Sequence, residues 1–362
     1  MYTAMDRVAR ELVGFIPAVA RNSAASRAAV GETVRIPVTP TTALQDIAPG
    51  VTAPDNGDQT IGYLDMTISK SKYAPIRWNG EEQLGVNNNG QYNIILADQF
   101  TNAMRALCNA VEADLAAHYA SASRAYGTAG TAPFASDLSD TAQILKVLKD
   151  NGAPNADLQL VLNTTAGAKL RSLATVNKVN EMGGDDMLRR GVLLDIHGFA
   201  IRESAANKVH TKGTGTGYLV NYGAGYAVGA TSIAADTGSG TIVAGDVVTF
   251  NGDTNKYIVT EALSGGSFKI AAPGLLQTLA DGVAITVGNN YSANLAFVRE
   301  AIQLVTRAPA MPVGGDAADD VTEIVDPVSG LAFQVALYRQ YRQVRFEVGL
   351  AWGSKAIKEQ FI

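Results

Sequence analysis

Residues able to do chemistry are few in this chain and are not grouped for it. There are three histidines. His118 precedes Tyr119 in a long predicted helix, His197 precedes Gly198 in a turn, and His210 lies in a loop; each reads as a satisfied or solvated ring. No serine stands in a G-x-S-x-G elbow. Gly213-x-Gly-x-Gly and Gly223-x-Gly-x-x-Val depart from the dinucleotide fingerprint, and neither follows a strand and opens a helix, as a phosphate cradle requires. These glycines read as hinges. The acidic pairs Glu81-Glu82, Asp185-Asp186 and Asp319-Asp320 suggest a cation site or an acid–base pair, but neighbours on a strand point to opposite faces. Asp253, in Asn-Gly-Asp-Thr-Asn, resembles part of a calcium loop that lacks the bidentate glutamate. Fixing turns suits Asp253, and likewise Asp246, better. Cys108, the single cysteine, rules out an intrachain disulfide and falls on the apolar stripe of a predicted helix, as a buried inert thiol would. The expectation is a non-enzyme without metal or cofactor.

Charges at other positions point to contacts instead. Lys70, Lys72 and Arg77 fall on the predicted second strand of a hairpin. They either discourage edge aggregation or meet acidic groups on a neighbouring subunit. With Glu81 and Glu82 they form the set of inter-subunit contact candidates. Arg339, Arg342 and Arg345 interleave with Tyr338 and Tyr341. That pattern admits nucleic-acid contact, but one solvated face of a sheet strand fits it better. Charged residues are only 17% of the chain and hydrophobic ones 47%, against about 25% charged in ordinary soluble proteins. Interface cores are depleted of charge, so much of this surface is expected to face other chains. A net charge of −5 argues against a broad basic face for nucleic acid. No apolar run approaches the ~18 residues of a membrane helix, and Met1 to Asp6 does not open a signal peptide.

Periodicity supplies the elements that carry these residues. Residues 3–13 form a short amphipathic helix with Met5, Val8 and Leu12 on one face. Gly31 to Val38 alternates as a strand, and a second strand runs from Tyr63 to Trp78. Pro40 to Ile61 between them reads as a long projecting loop. A helix follows over 92–124, with Phe100, Met104, Leu107, Val111 and Leu115 on one stripe; at 1.5 Å per residue it spans about 50 Å, ended by Gly127 and Gly130. A helix reaching Asp150, a buried strand at 158–163, a helix capped by Thr164 or Thr165, and a strand–turn–strand over 191–202 come next. Strands near 333–338 and 343–350 close an α+β chain rather than a doubly wound one. Inside it, residues 218–291 are all-β: short strands at 218–222, 231–234, 246–251, 256–261, 267–271 and 283–287, separated by Gly/Asp/Asn/Ser turns. A strand-rich module entering and leaving at one place is the mark of a domain insertion.

That order of elements resembles the HK97-type coat fold of tailed bacteriophages, and the β insertion resembles the P22-like coat subfamily. The stretches that carry the resemblance are Gly31-Glu-Thr-Val-Arg-Ile-Pro, Ala244-Gly-Asp-Val-Val-Thr-Phe, Tyr257-Ile-Val-Thr, Ala272-Pro-Gly-Leu, the run Asn294-Leu-Ala-Phe-Val-Arg-Glu-Ala-Ile-Gln-Leu, and Asp326-Pro-Val-Ser-Gly-Leu-Ala-Phe. The resemblance implies an N-terminal arm (1–30), an extended loop with flanking strands (31–86), a peripheral domain with a spine helix (87–150), an axial domain with the remaining peripheral strands (151–217 and 292–362), and the inserted β domain (218–291). It implies a major capsid protein that assembles with itself into pentamers and hexamers around double-stranded DNA, through a procapsid that expands. Scaffolding protein, portal, weakly held DNA and a decoration protein would be its partners, with no membrane. The virion would be its location, and the host cytoplasm its place of assembly. Some relatives crosslink lysine to asparagine; sequence alone does not map those residues onto this chain, so the crosslink is not carried over and a noncovalent shell is expected. An encapsulin-like compartment shell, and a surface protein binding carbohydrate or a receptor through the β module, are the alternatives.

Overall fold

The predicted apolar stripe is the axis of the molecule: Phe100, Met104, Leu107, Val111 and Leu115 are all buried on a helix running Tyr92–Ala116. The computed structural model describes residues 14–38, 60–87, 90–177, 195–325 and 329–362, with positions 44, 46, 47, 49–51 and 57. The amphipathic segment at 3–13, the Asp185-Asp186 pair, most of the projecting loop and the strand start at 191–194 lie outside the described residues. The spine helix is shorter than the 92–124 expected: 25 residues, about 37 Å, followed by a 3-10 turn at Ala117–Ser121. It stops because the backbone turns to other partners, Ser123 N–H bonding the Ile362 carbonyl (2.8 Å) and Ala125 N–H that of Lys256 (3.0 Å).

A helical turn at Phe15–Ala18 leads into β1 (Ala20–Ala28). β2 (Thr33–Val38) and β3 (Gly62–Thr67) pair as the expected antiparallel hairpin, Val34 opposite Met66 and Ile36 opposite Leu64. The single strand expected from Tyr63 to Trp78 is two. The chain leaves the hairpin at Ile68–Ser69, and β4 (Lys70–Asn79) joins a different sheet. Gly353 permits that crossing, because a Cβ there would stand 2.2 Å from the Thr67 carbonyl oxygen. Lys70, Lys72 and Arg77 therefore do not decorate the hairpin.

Two further bodies follow. β5 (Leu158–Leu162), buried along its whole length, pairs in parallel with β6 (Phe199–Glu203), and the helices Ser139–Asp150 and Thr164–Ser172 pack on the pair. Asn163, not Thr164 or Thr165, caps the second helix, its Oδ1 accepting from Ala166 N–H at 2.7 Å. The other body is entered through β7 (Val209–His210). It comprises β8 (Leu219–Val220), β9 (Ser232–Asp236), β10 (Val247–Phe250), β11 (Tyr257–Ser264), β12 (Ser267–Ile270) and β13 (Ile285–Val287), in the sheet order β13-β10-β11-β12-β9-β8. A bridge between Leu219 and Ala284, with Ile285 N–H bonding Tyr218 O (2.9 Å), joins the two ends. The sheet is thus a closed six-stranded barrel around Val248, Phe250, Tyr257, Val259 and Phe268, and closure removes its edges. The chain leaves through β14 (Tyr291–Ser292), which pairs with β7, and β15 (Leu295–Val298), which pairs with β5.

The glycine stutter before the barrel is not a free hinge. A Cβ on Gly213 would meet the Thr241 carbonyl oxygen at 2.1 Å, and one on Gly215 the same atom at 2.9 Å. These glycines allow two backbones to lie in contact. The last strands, β16 (Ile302–Pro309), β17 (Asp320–Val325), β18 (Ala332–Gln340) and β19 (Gln343–Ala356), build the main sheet. β19 is its centre: β18 and β16 lie end to end along one side, and β4 runs along the other. The spine helix packs on this sheet over Ile76, Trp78, Val348 and Leu350.

Candidate interaction surface

The contact candidates divide according to what holds them. Lys70 is engaged within its own chain: its ammonium meets Asp114 Oδ1 at 2.6 Å, and the buried Trp352 donates its indole N–H to Asp114 Oδ2 at 2.8 Å. This pair locks β4 and β19 to the spine helix. Glu81 and Glu82 are in the first turn of a helix, Gly80–Asn87, not on a strand. Glu82 completes a capping box with Asn79, accepting its N–H at 3.1 Å while Asn79 Oδ1 accepts Glu82 N–H at 2.7 Å. Lys72, Arg77 and Glu81 are exposed. Of the five, these three are left to meet something else. Register also brings Arg77 directly opposite Arg345 of β19, a juxtaposition that their separation in sequence hides. Arg339 approaches Asp319 at the tip of the same sheet (3.9 Å).

Asp246 and Asp253 have different surroundings. Asp246 is fully buried. Its carboxylate accepts from Val243 N–H (2.8 Å), from Gly213 N–H (3.0 and 3.2 Å) and from His210 Nε2 (2.8 Å). His210 Nδ1 in turn shares a hydrogen bond with the Tyr119 hydroxyl (3.0 Å), and Tyr291 donates to the Gly245 carbonyl (2.7 Å). Barrel turn, entry strand, exit strand and spine-helix end thus meet in one knot. Burial first, then the Asp246 charge, raises the Tyr119 phenol pKa; burial raises that of Tyr291 further. Both phenols stay protonated donors, so the array binds and orients rather than supplying a nucleophile. Asp253 accepts from Asn255 N–H (2.9 Å) and the Tyr257 hydroxyl (2.6 Å), whose pKa burial and this bond push up to about 12. Arg124 adds a strut, reaching Asn255 of the barrel (3.4 Å) and Val147 O and Asn151 of the neighbouring helix (both 3.0 Å).

One buried acid had escaped notice in the sequence. Glu112, 5% exposed, accepts from Phe15 N–H (3.0 Å), Ile16 N–H (2.9 Å) and Ser204 Oγ (3.0 Å). It satisfies the open N–H groups of the helical turn at Phe15–Ala18 and moors the chain leading into β1 to the spine. Burial raises its pKa, against the lowering by those three bonds. The available signal was an acid beside the apolar stripe, next to Val111. Its partners, nearly a hundred residues away, left no trace.

No protein-family model and no curated protein matches the chain. Among solved structures, the cyanophage P-SCSP1u capsid structure is similar at 13% identity and a TM-score of 0.48, covering 96% of this chain and 86% of that one. A chain from Mycobacterium phage Che8 is similar at 14% identity and 0.44, covering 91% and 83%. The mature capsid of bacteriophage PhiM1 gives 13% and 0.43, covering 95% and 84%.

Proposed function

We propose that this chain is a shell-forming coat subunit whose contacts are made with further copies of itself. The observation that carries the reading is a set of exposed apolar side chains that no other described residue covers. Along residues 30–63, Val30, Ile61 and Tyr63 are 55–60% exposed, and Leu44, Ile47 and Val51 are 98%, 99% and 105% exposed. Single exposed apolar side chains are ordinary, but a succession of them in one stretch of chain is the mark of a contact surface. The hairpin of β2 and β3 leads directly into β4 of the main sheet, which gives it a fixed root.

The finer reading rests on the sequence resemblance. Copies form pentamers and hexamers of an icosahedral shell enclosing double-stranded DNA, in the manner of the HK97-type fold and its P22-like members. The shell passes through a procapsid that expands, with scaffolding protein, portal and a decoration protein as partners, and the chain resides in the virion after assembly in the host cytoplasm. The barrel between β7 and β14 then serves as an inserted domain that stiffens the subunit or bridges neighbours. Electron microscopy of the expressed protein in negative stain tests the reading. Closed polyhedral or tubular particles support it; a uniform population of small particles at every concentration overturns it.

A further inference from the structure

Tyr73, Pro75 and Arg77 of β4 stand directly opposite Gly349, Glu347 and Arg345 of β19, so all six share one face of the main sheet. Two guanidiniums are therefore opposed on adjacent strands, where like charges destabilise a sheet. The carboxylate on this face, Glu347, forms an ion pair with Arg345 Nη2. Arg345 also lies over the Tyr73 ring, its guanidinium carbon 5.5 Å from the centroid, which fixes the plane of the fork. Its Nε is buried without a hydrogen-bond partner. Arg77 is exposed, and among the described residues no side chain bonds to it. β4 pairs with β19 alone among the described strands. Pro75, lacking an N–H, would leave a gap in any ladder a further strand built there. This edge thus offers side chains rather than backbone.

We propose that Arg77 and Arg345 form a receptor for a carboxylate side chain of a second copy of this chain, supplying the second negative charge that Glu347 leaves wanting. The inference rests on the shell-subunit reading and names a contact within it. Each copy has 34 acidic against 29 basic residues, so copies repel on balance. An unneutralised arginine pair is a place where that repulsion reverses. A second copy is favoured over the phosphodiester backbone of a duplex because the pair adjoins Tyr73, an exposed ring that a duplex with its bases already stacked would leave in water.

The test uses the full chain as wild type, Arg77→Gln, Arg77→Lys and Arg77→Glu, with Arg339→Gln as a control already facing Asp319. Light scattering and microscopy follow the protein concentration needed for particles, at low and high salt. Arg77→Gln should raise that concentration about tenfold or more, the scale on which loss of a charge-assisted hydrogen bond is felt. Arg77→Lys should recover part of the loss, Arg77→Glu should abolish particles, and Arg339→Gln should behave as wild type. Unfolding of the unassembled Arg77→Gln protein should be unchanged or slightly later, which a purely structural role would not give. Wild-type protein that never assembles removes the shell reading and this contact together. Wild-type particles matched by equally abundant, equally salt-sensitive Arg77→Gln particles overturn the receptor alone. So does an Arg77→Gln protein that assembles normally but loses binding to a double-stranded DNA oligonucleotide.

Discussion

Two buried carboxylates differ in what surrounds them, and that difference predicts how each responds to change. Glu112 accepts three donors, yet burial dominates and lifts its pKa above the usual 4.5. For an acid raised in the folded state, the stabilising contribution is fully present below about the unfolded value. It is lost as pH rises through the folded value. In Glu112→Gln the side chain is neutral throughout but turns an amide N–H₂ toward a donor, a mismatch of about 1–3 kcal/mol. Wild type should therefore be the more stable at acid pH, and its advantage should narrow toward neutrality in urea titrations. A constant gap would show that Glu112 does not titrate in that window. Asp246 has four contacts with N–H donors and no exposure. Asp246→Asn should cost about 1–3 kcal/mol for the same reason, and Asp253→Asn, on a half-buried turn, clearly less. Equal losses from the two would deny Asp246 its place at the centre of the knot.

At the scale of elements, the barrel's two chain ends leave through one paired neck, while Arg124 and Ala125 brace its side at Asn255 and Lys256. His210 opposes Tyr291 across β7 and β14, and Lys212 N–H bonds Asn290 Oδ1 at 2.9 Å. Joining residue 212 to residue 290 through a short glycine linker should therefore leave the main core foldable, whereas cutting at 223 would strand Tyr218 and Val220 of the barrel core. The excised chain should keep a cooperative unfolding transition, at lower temperature because His210 loses Asp246, and should assemble poorly. Normal particles from it would make the barrel a passenger. How far such elements were legible in sequence depended on range. The barrel strands follow period-2 alternation between glycine-rich turns, a local code, and the spine stripe is equally local. The break at Ile68–Ser69 was not legible, because only Gly353, at the far end of the chain, makes room for it. Nor was the pairing of Arg77 with Arg345, or the mooring of Phe15 to Glu112, since both depend on contacts closed late in the fold.

For the whole molecule, the proposed shell should be held by noncovalent contacts alone. Cys108 is buried in the spine helix, so disulfides between copies would require the main core to open. The Lys70 ammonium is engaged by Asp114 of its own chain at 2.6 Å. Lys269 is similarly paired with Glu261. What the proposed shell then relies on is apolar burial along residues 30–63 and charge at the β4 edge. Detergent dissolves the first, and salt screens the second. Purified particles boiled in SDS should therefore run as one band near 37.9 kDa, with or without reductant. A ladder that collapses on reduction would place Cys108 at an interface. One that survives reduction would require a lysine other than Lys70 or Lys269 to reach a neighbour's side-chain amide, and mass spectrometry of the crosslinked peptide would identify it.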